Sequence, residues 1–123
     1  MAMDKKAETF ELLRDILRRW ERATELVTDD PTTYYLNTHH IMPNKQPLYF
    51  GSVAIKKRYV AFHLMPVYVN PDLLADVSPA LKKRMQGKSC FNFTQPDDAL
   101  FEELAALTER GFDDYVRQGY IKQ

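Results

Sequence analysis

The chain has 123 residues, 45% of them hydrophobic and 28% charged. This is the balance of one globular domain, residues 1–123, and not of a disordered segment. Seventeen basic and seventeen acidic residues cancel, so the basic excess of a duplex nucleic-acid binder is missing, and a single cysteine, Cys90, excludes an intrachain disulfide and fits a reducing compartment.

The four glycines, Gly51, Gly87, Gly111 and Gly119, lie too far apart for a phosphate-cradling loop, which needs closely spaced glycines so that backbone N–H groups can approach the phosphate. No run approaches the roughly 18 apolar residues of a membrane span. The start, Met1-Ala2-Met3-Asp4-Lys5-Lys6, reads as neither a secretory signal nor a transit peptide, so a soluble cytoplasmic protein without membrane partners is expected. Charge is uneven along the chain. Residues 45–90 carry eight bases and two acids, whereas residues 1–44 and 97–123 are net acidic.

In chain order, Phe10, Leu13, Leu17 and Trp20 recur at spacings of three and four and predict a helix over 8–27. Asp29-Asp30-Pro31 should end it, because proline cannot continue a helix. Residues 33–38 are rich in strand formers, and 39–47, with Pro43, Asn44 and Pro47, reads as a loop. Leu48–Lys56 and Tyr59–Val69 predict two strands, with Val53, Ile55, Val60, Phe62 and Leu64 facing a core. Ser52, Ala54, Lys56 and His63 fall on the other face.

Asn70-Pro71 and Ser78-Pro79 are helix-start signals, a capping side chain before a first-turn proline. They predict helices over 71–77 and 79–86. Lys88–Thr94 alternates again, Phe91 and Phe93 one way, Lys88, Cys90, Asn92 and Thr94 the other. A last helix runs from Asp97-Asp98 to about Gln118, with one apolar row at Leu100, Leu104, Leu107, Gly111 and Tyr115 and a second through Phe101 and Phe112. The order α-β-β-β-α-α-β-α lacks βαβ alternation. It predicts an α+β fold, a four-stranded, mostly antiparallel sheet with helices packed on one face.

From Met42 onward the sequence resembles the YdhG-like family, a bacterial group of domains of unknown function. The resemblance is carried by Met42-Pro43, Lys45 through Gly51, Ile55-Lys56-Lys57, Val60 through Leu64 with Pro66, and Gly87 through Phe93. It implies a small intracellular α+β domain. Some members are described as frataxin-like iron chaperones, which would imply iron handling. The family has no established catalytic residues to carry over.

Four chemistries deserve comparison with an ordinary solvated surface. The first is the second sheet face, where His63, Lys88, Cys90, Asn92 and Ser52 project from the core as a polar pocket for a small or anionic ligand, or for a protein partner such as a second copy. Cys90 would be a nucleophile only if His63 or Lys88 stabilised its thiolate. The second is a transition metal. His39 and His40 are adjacent, so in an extended segment they point opposite ways, and nothing has the paired spacing of a structural zinc site. The third is an acidic iron ridge on the last helix, Asp98, Glu102 and Glu103 with Asp97, Asp113 and Asp114. The acids also complement a helix N-terminus, and the first helix carries Arg14, Arg18, Arg19 and Arg22 among its acids. The fourth is nucleic-acid binding by Lys56, Lys57, Arg58, Lys82, Lys83, Arg84 and Lys88. It lacks any RNA-binding signature and ranks low. A non-enzymatic binding module leads, an iron-handling chaperone follows, and a Cys/His enzyme is third. No cofactor is expected apart from the iron of the second reading.

Overall fold

A computed structural model of the chain describes residues 4–122. The first three residues of the segment read above for a targeting signal lie outside that range. Helix α1 (Lys5–Arg18) starts at an Asp4 cap and buries Phe10, Leu13, Ile16 and Leu17. Strands β1 (Glu25–Asp30), β2 (Thr33–Ile41), β3 (Pro47–Ile55) and β4 (Val60–Leu64) follow. A short helix α2 (Met65–Val69), a 3-10 turn (Pro71–Leu74) and helix α3 (Pro79–Lys82) lead to strands β5 (Met85–Gln86) and β6 (Cys90–Phe93). Helix α4 (Asp98–Arg117) is the last element.

The sheet has six strands in the order β1-β2-β3-β4-β6-β5, every neighbour antiparallel. The expected four-strand sheet is therefore corrected to six. The extra strands come from segments read as helix. The helix predicted over 8–27 stops at Arg18. Leu26 and Val27 continue its apolar spacing but lie in β1, because Pro31 and Thr32 close a hairpin. There Oδ1 of Asp30 accepts from the N–H groups of Thr32 and Thr33 and from the Thr32 hydroxyl. At the other edge the helix expected over 79–86 ends at Lys82, and Met85-Gln86 pairs with β6. The strand expected over 59–69 ends at Leu64, where Pro66, which has no N–H for a ladder, sits in the first turn of α2. Ser78 caps α3 as expected, its hydroxyl accepting from the Leu81 N–H. Asn70 makes no side-chain cap, and Pro71 opens only the 3-10 turn.

The core lies between one sheet face and the helices. Tyr34, Leu36, Phe50, Val53, Phe62, Leu64, Phe91 and Phe93 from the strands join Leu13 and Leu17 of α1 and Leu104, Leu107, Phe112 and Tyr115 of α4 in one cluster. Both apolar rows of the last helix are buried in it, and Trp20 stacks on Phe112 with ring centroids 4.4 Å apart. Gly111 brings α4 against α2: a Cβ there would lie 2.8 Å from Pro66 Cβ. Among the described residues no helix is long and apolar enough to cross a membrane.

Candidate functional site

The alternate residues of the strands form the open face. Cross-strand register aligns Gln86, Cys90, His63, Ser52 and Tyr35 in one row across β5, β6, β4, β3 and β2. Ala54, Ala61 and Asn92 form the row beside it. His63 and Cys90 are thus direct neighbours, because β6 pairs with β4 after the excursion through α2 and α3. Each residue of these two rows from Tyr35 to Cys90 is half-buried, since neighbouring side chains on a pleated face shield one another.

A β-bulge brings Tyr49 into the site. Leu36 opposes Gly51 and Asn37 opposes Tyr49, which leaves Phe50 as the extra residue of β3. Phe50 and Gly51 are both buried. A bulge resets the two-residue rhythm, so Tyr49 and Ser52 share the open face and the Tyr49 hydroxyl donates to Ser52 Oγ. The Tyr49 ring stacks on Tyr35 at 4.6 Å and meets the His63 ring edge-on at 4.8 Å. Strict alternation from Val53 puts Tyr49 in the core, which is why sequence reasoning missed it.

On its other side His63 meets Ser89, a buried residue of the β5–β6 turn. A 2.5 Å hydrogen bond links His63 Nε2 and Ser89 Oγ. Burial lowers the His63 pKa and so favours the neutral imidazole. Burial also pushes the Cys90 thiol up, and the Lys56 ammonium offsets this only in part. The phenols of Tyr35 and Tyr49 are raised by burial as well. The face is therefore built from uncharged donors and acceptors, with Lys56 as the cation that acts on Cys90. A protonated, partly buried thiol is a poor nucleophile, which weighs against the Cys/His enzyme reading. Two side-chain acceptors, Oδ1 of Asn37 and Oδ1 of Asn92, are buried with no hydrogen-bond partner among the described residues.

Lys88 is placed elsewhere. It lies in the turn between β5 and β6, exposed, with its ammonium 6.0 Å from the centroid of the Tyr68 ring on α2. Alternation does not extend into a turn, so Lys88 does not share the face of Ser52, His63, Cys90 and Asn92.

The acids of α4 do not act as one set. Asp97 caps the helix, accepting from the Leu100 N–H. Glu103 accepts from the Ser78 N–H at 2.7 Å and the Ser78 hydroxyl at 2.6 Å, and these bonds hold its carboxyl below the ordinary glutamate value. Asp114 is buried and accepts from Asn70, Arg117 and Gln118. Asp98 and Glu102 remain on the wall of a cleft between α1 and α4, with Asp15 and Arg19 opposite. Among the described residues no three His, Cys, Asp or Glu side chains are grouped to hold a metal ion.

Fold and face together define a small α+β domain with helices on one side of an antiparallel sheet and a largely uncharged polar surface on the other. Set against known proteins, the chain matches no family model, no curated protein and no solved structure.

Proposed function

We propose that the protein is a non-enzymatic binding module that holds a small polar ligand on the open sheet face. Ser52, His63, Cys90 and Asn92 form the floor, Tyr35 and Tyr49 a flanking aromatic platform, and Lys56 receives an anionic end. The observation that carries this reading is the buried acceptor of Asn92. An unpartnered buried carbonyl costs about 1–3 kcal/mol, and Asn92 presents one in the row beside Ser52, His63 and Cys90. A ligand bearing an N–H or O–H donor would satisfy it, whereas Asn37 lies three strands away and four residues further along β2. Burial of the Cys90 thiol disfavours its thiolate and supports binding over covalent chemistry. The motif order that resembles the YdhG-like family fits a domain of this kind, and membership in that family is part of the proposal.

Native mass spectrometry of the purified protein, followed by amide spectra with any retained small molecule added back, tests the reading. Signals of Ser52, His63, Cys90 and Asn92 should respond, and Asn92→Leu should weaken the response by about tenfold, the worth of one hydrogen bond. A response confined to other parts of the molecule would refute it.

A further inference from the structure

We propose a second ligand site, where the distorted end of β2 meets the segment after α4, and infer that it takes a small phosphomonoester with a flat apolar body. The site is a cavity of about 410 Å³ lined by Ala23, His39, His40, Ile41, Tyr120 and Lys122, among others. That volume suits a small molecule.

Two rigid backbone devices build it. In a regular strand adjacent histidines point to opposite faces. In β2 the register slips: Asn37 opposes Tyr49 and Ile41 opposes Pro47, so residues 38–40 face Leu48 alone. Buried Thr38 pins the distortion, its hydroxyl donating to the Leu48 carbonyl at 2.9 Å and accepting from the His40 N–H at 3.1 Å. Both histidines consequently line one cavity. On the opposite wall α4 ends at Gly119 with a φ of 86°. The Gly119 N–H donates to the Val116 carbonyl and the Tyr120 N–H to the Tyr115 carbonyl, the glycine-terminated reversal that fixes the residue beyond it. This holds the Tyr120 ring 5.0 Å from the His40 ring and 5.4 Å from that of Tyr115.

The chemistry selects the ligand. His39, His40 and Lys122 supply nitrogen donors from three side chains, and no carboxylate lines the cavity among the described residues. Three donors match the three terminal oxygens of a phosphomonoester better than the two of a carboxylate. The negative end of the α4 dipole opposes an anion, an opposition lessened where the Tyr115 and Val116 carbonyls accept from Tyr120 and Gly119. Ile41 is 57% exposed, the most exposed large apolar side chain among the described residues. With Tyr120 it offers a wall for a flat apolar group.

The test is titration of the protein with phenyl phosphate, followed by amide spectra at constant ionic strength, with inorganic phosphate and phenol as separate arms. Saturable shifts confined to residues 39–41 and 119–122 are expected, with phenyl phosphate binding about tenfold tighter than either part alone. His39→Gln and Ile41→Ser, both at exposed positions, should each weaken binding severalfold while leaving the remaining spectrum in place. Equal responses to phenyl phosphate and inorganic phosphate, shifts spread over residues 56–58 and 82–88, or binding unchanged in both variants would overturn the proposal. Shifts at His63 and Cys90 instead would also overturn it, and would point to the open sheet face.

Discussion

Gly51→Ala tests the contact that seats α1 on the sheet beneath the candidate site. A Cβ at position 51 would lie 2.9 Å from Cδ2 of Leu17 and 3.1 Å from the His63 carbonyl oxygen. Carbon atoms pack best at about 3.5–4.0 Å, and Leu17 is fully buried, so its methyl group can turn aside only by displacing close-packed core neighbours. Two effects oppose each other. Replacing glycine reduces the freedom of the unfolded chain and stabilises by about 0.4–1 kcal/mol. Forcing a methyl group into a filled core costs about 1–3 kcal/mol. Overpacking wins, because one neighbour is backbone and the other is enclosed, leaving a net loss of about 1–2 kcal/mol. With a urea slope of about 2 kcal/mol/M, the unfolding midpoint should fall by roughly 0.5–1 M at unchanged slope. The strain falls on His63, so amide signals of Ser52 and His63 should move more than those of β1. A midpoint that rises, with His63 unmoved, would show that Leu17 does not press on β3 and would refute the packing argument.

Three further outcomes follow from the side-chain environments. Burial depresses the His63 pKa below its ordinary value of 6.5, so the folded state binds this proton less readily than the unfolded one; the associated stability is present above pH 6.5 and is lost as the pH falls below it. In urea unfolding across this range, His63→Gln should therefore show a shallower acid-side loss than the parent. Iodoacetamide should alkylate Cys90 more slowly than free cysteine at neutral pH, and Lys56→Ala should slow it further, because the ammonium partly offsets the burial that raises the thiol pKa; rapid labelling would favour covalent chemistry instead. Ser78→Ala should cost about 1–2 kcal/mol in thermal or urea unfolding at neutral pH, through loss of a helix cap. Part of the Ser78 contribution depends on ionised Glu103, whose depressed pKa makes that part present above 4.5 and lost as the pH falls through the lower folded value, so the gap between parent and variant should narrow in acid.

The periodicity of the sequence determined which side chains enter the core. Val53, Val60, Phe62, Leu64, Phe91 and Phe93 on one face, and the two rows of the last helix, follow from alternation and helical spacing, because burial of apolar surface acts on every residue of a regular element in the same way. The same alternation placed Ser52, His63, Cys90 and Asn92 on the opposite face. That β6 lies beside β4, so that His63 meets Cys90, is a fact of strand order, which depends on how an excursion of some 25 residues returns and leaves no local trace. Residues 25–27 continued the helical spacing, but pairing with β2 satisfied the backbone of 25–30, and the Asp30 turn closed the hairpin. The two irregularities of the β2–β3 ladder were likewise invisible in the chain. Each depends on a partner strand, and each moves the side chains that matter for binding: Tyr49 onto the open face, His39 and His40 into one cavity. Lys88 left the face because a turn carries no alternation. Local rhythm decides what is buried, whereas register and strand order, set only when distant segments pair, decide which polar groups come together.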